Sequence, residues 1–216
     1  MNTFQQAMDW LAGYEGGFVN HPKDPGGATM RGVTQRVYDA YMKSKGLYPR
    51  SVKHLTDKEH DAIYREQYWL PIKGDELPNG VAAALFDYGV NSGTSRAVKT
   101  LQRIVGASPD GVVGLHTLAK VNDYVKRYGQ AQLIKKLSME RLAFVKRLKT
   151  WPTFGKGWQR RIVGVRDRAI WLAQQPHMTQ PRPTDAAPGK ALEANLSWLS
   201  GLLETLSAFF NRGETK

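Results

Sequence analysis

Glu15-Gly-Gly-Phe-Val-Asn-His-Pro-Lys-Asp24-Pro-Gly-Gly-Ala-Thr29-Met-Arg-Gly-Val-Thr34 is the stretch around which this chain is organised. Upstream of it, apolar residues recur at helical spacing from Phe4 to Leu11, which predicts a short helix ending just before Glu15. Two glycine pairs and two prolines within the stretch exclude a continuing helix. Apolar segments on either side of the Asp-Pro-Gly-Gly turn, at 18–19 and 30–33, therefore predict a small β-hairpin.

The same stretch carries three groups that could do chemistry, the carboxylates of Glu15 and Asp24 and the hydroxyl of Thr29. An acid at a helix end, facing a hairpin that carries a second acid, is suited to cleaving a glycosidic bond. Ordinary structural roles stay open for all three. A glutamate near a helix end is usually a solvated charge, an aspartate in Asp-Pro-Gly-Gly forms turns, and a threonine favours strands.

Three segments, Glu15-Gly-Gly-Phe, Asn20 to Thr29 and Gly32-Val-Thr34, together resemble the signature of the glycoside hydrolase family 108 muramidases. Members of that family cleave peptidoglycan and come from phages, prophages and bacterial secretion loci. The segments 85–93 and 110–117 resemble the peptidoglycan-binding half that usually follows in the family. The order Glu, Asp, Thr also resembles the phage-type lysozyme triad, although that pattern has one more residue between Asp and Thr.

The resemblance implies a mainly α, lysozyme-like α+β fold and peptidoglycan as the partner. The implied reaction is hydrolysis of the β-1,4 bond between N-acetylmuramic acid and N-acetylglucosamine. Glu15 would be the general acid, Asp24 would orient or activate water, and Thr29 would position that water. The candidate substrate-binding residues are Asn20, His21, Gly27, Thr34, Tyr68, Asp87 and Asn91.

Two of these candidates also have a structural interpretation. Asp87 lies inside a nearly all-apolar segment, Gly80 to Val90, which predicts a buried central helix. A buried carboxylate there needs a hydrogen-bond partner. Tyr68 belongs to an aromatic stripe that is typical of a core, but it lies near the end of its helix and could line a cleft.

Other functions remain open at this stage. A lytic transglycosylase would use Glu15 as both acid and base, with the muramic 6-hydroxyl in place of water. A peptidoglycan-binding or secretion-accessory protein would carry the same residues without catalysis. A membrane-permeabilising protein would act through its C-terminal tail.

Composition narrows the chemistry and the location. The chain has 216 residues and no cysteine, and its five histidines are scattered without metal-ligand spacing, so we expect neither a metal nor another cofactor. The first residues lack the basic and apolar regions of a signal peptide. We therefore expect a cytoplasmic enzyme that reaches the periplasm and cell wall through a holin, as the phage setting of the family implies.

The charge is concentrated in one segment. The net charge is +12, and residues 120–168 carry 14 basic and 3 acidic side chains. Such a field suits a polyanion such as cell wall, anionic lipid or nucleic acid. No nucleic-acid-binding motif accompanies the aromatic and basic residues at 151–161, so we expect no nucleic-acid partner.

The domain organisation follows from these patterns. We expect a catalytic domain at 1–173, with a catalytic half at 1–80 and a peptidoglycan-binding-like helical half at 81–173. Within the second half, a helix at 130–149 should carry its Lys and Arg outward, and the Pro- and Gly-containing segment 151–158 should interrupt the chain before a last helix. A Pro-rich linker at 174–190 and an amphipathic helix at 191–211 should follow. That helix could self-associate, contact a membrane surface or dock on its own domain.

Overall fold

The computed structural model describes residues 2–20 and 27–175. Within these residues the chain forms two compact units. Residues up to Glu15 together with those from Thr56 onward form one, called here the helical unit, and residues Gly16–Leu55 contribute the other, called the sheet unit. The predicted helix at 191–211 and nearly all of the predicted linker at 174–190 lie outside the described residues.

The predicted fold class is confirmed, because helices dominate and the small sheet lies near the N-terminus. A 3-10 helix at Val52–His54 lies in the sheet unit, and a π-helical segment at Arg65–Trp69 continues the third α-helix. The α-helices of the described residues are α1 Thr3–Ala12, α2 Gln35–Ser44, α3 Asp57–Tyr64, α4 Asn79–Ser92, α5 Thr94–Val105, α6 Leu115–Tyr128, α7 Gln130–Lys146 and α8 Trp151–Ala173.

The sheet has three short antiparallel strands, β1 Phe18–Val19, β2 Thr29–Met30 and β3 Val33–Thr34, in the order β1-β2-β3. The predicted hairpin is present as β1 and β2. The segment 30–33 is not one strand, however, because Arg31 and Gly32 adopt φ angles of +48° and +75° and turn the chain back. Two successive positive φ angles are typical of the tight turns that join hairpin strands.

Helix α4 is the centre of the helical unit, as the sequence predicted. It packs against α1, α5, α7 and α8, and all of its residues from Gly80 to Gly89 are buried. A Cβ atom on Gly80 would lie 2.3 Å from the carbonyl oxygen of Ala169, so the missing side chain allows the α4 and α8 backbones to touch. Rings of Phe4, Trp69 and Phe86 meet edge-on beside α4, with centroids 5.4–5.9 Å apart.

The predicted interruption at 151–158 is wrong, because α8 begins at Trp151 and runs without a break to Ala173. Pro152 lies in the first turn, where a helix needs no backbone N–H from it. Gly155 is buried, and a Cβ atom there would lie 2.5 Å from the Trp151 ring. The glycine therefore makes room for an indole against the helix rather than ending the helix.

The segment 110–117, which resembles part of the family's second half, is held in place by the buried side-chain amide of Gln102. Gln102 donates to the Asp110 carboxylate at 2.7 Å, to the Val112 carbonyl at 3.0 Å and to the Thr117 hydroxyl at 3.1 Å. It also accepts from the Gly111 N–H at 2.9 Å, and Gly111 has a φ of +88°. Residues 110–114, Asp-Gly-Val-Val-Gly, thus form a loop closed over Gln102.

No helix within residues 2–20 and 27–175 combines the length and apolarity needed to cross a membrane.

Candidate active site

Glu15 lies three residues beyond the end of α1. Gly13 caps the helix and the Tyr14 N–H bonds to the Leu11 carbonyl at 2.8 Å, so the chain leaves the helix in a fixed turn before Glu15. The side chain is partly buried. This desolvation raises the pKa of the carboxyl, the Asp87 charge raises it further, and the Arg161 charge opposes both. The net pKa is above the ordinary value, so the acid keeps its proton to a higher pH than an exposed glutamate.

The two charges that act on Glu15 belong to a buried ion cluster. Asp87 of α4 accepts from Arg141 Nη1 of α7 at 2.6 Å through one carboxylate oxygen. Its other oxygen accepts from Nε and Nη2 of Arg161 of α8, at 3.0 Å and 2.7 Å. Burial alone would raise the pKa of Asp87, but the two arginines overcome it and hold the pKa below the usual range. The cluster is therefore two cations around one carboxylate, with a net charge of +1.

Tyr14 connects this cluster to the acid. The Arg161 guanidinium carbon lies 5.0 Å from the centroid of the Tyr14 ring, which is within cation–π range, and Tyr14 is the residue before Glu15. A Cβ atom on Gly164 would lie 2.9 Å from the Tyr14 hydroxyl, so the glycine leaves room for this ring beside α8. Helix α8 thus places the Arg161 guanidinium against the ring of the residue that precedes Glu15.

Two further predicted site residues lie in the helical unit. Tyr68 is partly buried in the π-helical segment, and desolvation together with the charge of Glu15 raises its pKa to about 12. Its phenol therefore stays protonated near the acid at neutral pH. Asn91 lies one helical turn after Asp87 on α4, is partly buried, and accepts from the Ser92 hydroxyl at 3.1 Å. Glu15 thus interacts electrostatically with Asp87 and with Tyr68.

The other predicted site residues belong to the sheet unit. Thr29 pairs with Val19 and Thr34 across the strands, and its hydroxyl donates to the Gly27 carbonyl at 3.1 Å. Thr34 is also the N-cap of α2. Asn20 is exposed, directly after β1. His21 and Asp24 lie outside the described residues, so their proposed roles stay predictions.

Sequence reasoning missed both arginines of the cluster. The helix at 130–149 was expected to carry its Lys and Arg outward, and for Arg141 this is wrong, because Arg141 is buried with Asp87. A signal was available in the sequence. Arg141 lies four residues after Leu137 and four before Val145, on the face of α7 that is buried. Among residues 2–20 and 27–175, no group of three or more His, Cys, Asp or Glu side chains could hold a metal ion.

Comparisons with known proteins agree with the resemblance seen in the sequence. The family model described as Glycosyl hydrolase 108 matches residues 8–93, and the model described as Predicted Peptidoglycan domain matches residues 96–163. The solved structure of SagA from Brucella abortus is 44% identical in sequence, with a TM-score of 0.68. The match covers 80% of this chain and 97% of the SagA chain. No curated protein matched the chain.

Proposed function

Because this chain belongs to the glycosyl hydrolase 108 family, we propose that it is a muramidase, hydrolysing the β-1,4 bond between N-acetylmuramic acid and N-acetylglucosamine. As a family member it is a glycosidase, and its second half matches a peptidoglycan domain, which makes peptidoglycan its partner. The observation that carries the proposal is the environment of Glu15. A partly buried carboxyl with a raised pKa is what a general acid requires near neutral pH.

In the proposed reaction, protonated Glu15 donates its proton to the glycosidic oxygen as the bond to the anomeric carbon breaks. Water then adds to that carbon and loses a proton, so the products are two chains, one with a new reducing end. We propose that Asp24 orients or activates this water and that Thr29 positions it. Asn20, His21, Gly27, Thr34, Tyr68 and Asn91 are proposed to contact the glycan.

The test is release of reducing ends from purified sacculi by the wild type and by Glu15→Gln. General acid catalysis contributes on the order of 10²–10⁴ in rate, so we expect Glu15→Gln to lose activity by that factor. Glu140→Gln is the matched control, because it makes the same change at an exposed position of α7. A Glu15→Gln variant that releases reducing ends as fast as the wild type would refute the assignment.

The same digest separates hydrolysis from transglycosylation. Mass spectrometry of the released muropeptides would show 1,6-anhydro ends only if the muramic 6-hydroxyl replaced water. Binding to sacculi without any release of reducing ends would instead indicate a peptidoglycan-binding protein with an idle site.

We further propose an endolysin role, in which the enzyme accumulates in the cytoplasm and lyses the host once a holin opens the membrane. Expression in a bacterial host with and without a holin tests this, since lysis should require both proteins. Rapid lysis by the enzyme alone would contradict holin dependence. The part of residues 191–211 in membrane contact or self-association remains a prediction.

A further inference from the structure

The second half of the chain supplies both arginines of the buried ion cluster. Arg141 and Arg161 both fall within the matched residues 96–163, whereas Glu15 and Asp87 fall within residues 8–93. The ion cluster therefore joins the two matched regions inside one helical unit.

The charge balance of this cluster changes when Glu15 ionises. Asp87 neutralises one of its two arginines, so the cluster alone carries one uncompensated positive charge. While Glu15 is protonated, that charge has no anionic counterpart in the cluster. Once Glu15 has given up its proton, the four groups together are neutral. Removing an uncompensated charge from a poorly solvated site is favourable.

We propose that Arg161, held by Asp87 and Arg141, is a positioning residue for the reaction and stabilises the carboxylate that Glu15 becomes after protonating the leaving oxygen. This inference rests on the proposed function. It assigns to the second half of the chain a part in catalysis, in addition to contact with peptidoglycan.

The geometry of the guanidinium is suited to this role. Two of the Arg161 nitrogens donate to the same Asp87 oxygen, at 3.0 Å and 2.7 Å, which fixes the plane of the guanidinium. Tyr14, the residue before Glu15, covers the guanidinium at 5.0 Å. The Arg161 guanidinium is thus held by the carboxylate of Asp87 on α4 and by the ring of Tyr14, which belongs to the same segment as Glu15. A preorganised charge of this kind stabilises developing charge without rearranging during the reaction.

Two charged groups, one from α4 and one from α8, act on Glu15. Asp87 of α4 raises the pKa of Glu15 and Arg161 of α8 lowers it, while Glu15 in turn raises the pKa of Tyr68. Arg141 of α7 acts on this set through its ion pair with Asp87. Because Asp87 and Arg161 act with opposite sign, removing each charge should shift the titration of Glu15 in opposite directions.

The experiment measures Glu15 directly and in turnover. The side-chain carboxyl of Glu15 is titrated by carbon-13 NMR, with its resonance identified by its loss in Glu15→Gln, and kcat and KM on sacculi fragments are measured across pH. The variants are Arg161→Gln, Asp87→Asn and Arg161→Lys, which keeps the charge. Arg160→Gln is the matched control, since it removes the neighbouring, exposed arginine of the same helix.

We expect Arg161→Gln to raise the midpoint of the Glu15 titration and to lower kcat at neutral pH by about tenfold or more, with KM nearly unchanged. Asp87→Asn should lower the midpoint and move the basic limb of the kcat profile to lower pH. Arg161→Lys should titrate close to the wild type, and Arg160→Gln should match it. A role limited to folding would lower activity in both cluster variants without opposite shifts.

The outcomes separate this inference from the proposed function. If the wild type releases reducing ends but Arg161→Gln leaves the Glu15 titration and the basic limb unchanged, the inference is overturned and the proposed function stands. If the wild type releases none, the proposed function fails, and the catalytic role of Arg161 fails with it, whatever the NMR titration shows. Opposite shifts in an active enzyme establish the role.

Discussion

Replacing Asp87 by Asn is the perturbation that tests the fold most directly, because this one carboxylate is the counter-ion that arginines from two other helices share. The substitution keeps the size of the side chain and removes only its charge. It leaves Arg141 and Arg161 buried together without a carboxylate between them. The asparagine oxygen can still accept from one arginine, while its NH₂ group faces the donors of the other.

The magnitude follows from the burial of the three side chains. Asp87 is 8% exposed, Arg141 is 4% exposed and Arg161 is 12% exposed, so solvent screens their charges little. Breaking a buried ion pair by removing one partner costs about 3–5 kcal/mol. We expect the lower end of that range, since one hydrogen bond survives. For a protein of this length, ~3 kcal/mol corresponds to a fall in Tm of about 6–12 °C.

Urea and thermal denaturation of the wild type and Asp87→Asn measure this difference. Asp167→Asn is the matched control, because Asp167 is 58% exposed and its pair with Arg166 lies at the surface. That variant should lose at most about 1 kcal/mol. The pKa of Asp87 is lowered in the folded protein, so its stabilisation is present above the ordinary pKa of aspartate and is lost as the pH falls through the folded pKa. A free energy of unfolding at pH 7 within 1 kcal/mol of wild type would refute the reasoning.

Four further predictions concern the acid, the packing, the loop and the salt response. Burial raises the pKa of Glu15, so its charge opposes folding above the ordinary pKa of glutamate. The Glu15→Gln variant should therefore have a higher Tm than the wild type at pH 7. Calorimetry over a series of pH values should show this difference in Tm narrowing toward pH 4. Gly80→Ala should lower the free energy of unfolding, measured in urea, by about 1–3 kcal/mol, because the new methyl group forces α4 away from α8. Gly157→Ala should raise the free energy of unfolding by about 0.5–1 kcal/mol, because alanine is more favourable than glycine inside a helix and the space around Gly157 is open. Gln102→Leu should cost about 1–3 kcal/mol and speed hydrogen exchange of the Gly111 amide, which loses its acceptor. Raising salt from 0.05 M to 0.5 M should weaken cosedimentation with sacculi, yet leave the midpoint of the Glu15 titration nearly unchanged, because buried pairs are screened far less than surface charges.

Local signals in the sequence predicted much of the fold. The side chain of Thr34 caps α2, and Thr56 and Glu59 form a capping box at the start of α3, both of which are short-range sequence patterns. The apolar run from Gly80 onward became the buried α4. Each of these sequence patterns lies within or directly beside the helix that it predicts, so the prediction needed no knowledge of the tertiary arrangement.

The parts that the sequence did not predict depend on contacts between distant segments. Asp87 was expected to find a partner, but its partners lie 54 and 74 residues away, on α7 and α8. Gly155 was taken for a helix breaker because its helical role depends on the position of the Trp151 ring. The same limit applies to Glu15. Its position just after the end of α1 could be predicted from the sequence, whereas the charges that shift its pKa lie on distant segments and could not be predicted.

The basic segment 120–168 therefore contains two kinds of cation that the count of charges alone cannot separate. Most of its lysines and arginines lie on the surface, where their field suits a polyanion and weakens with salt. Arg141 and Arg161 are buried around the carboxylate of Asp87, so their charges act mainly on groups close to them and are little screened by salt. Buried cations of this kind favour ionised over protonated Glu15 more strongly than the screened field of the surface charges does. Replacing the surface lysines and arginines of this segment should therefore weaken binding to the cell wall before it lowers the rate of hydrolysis.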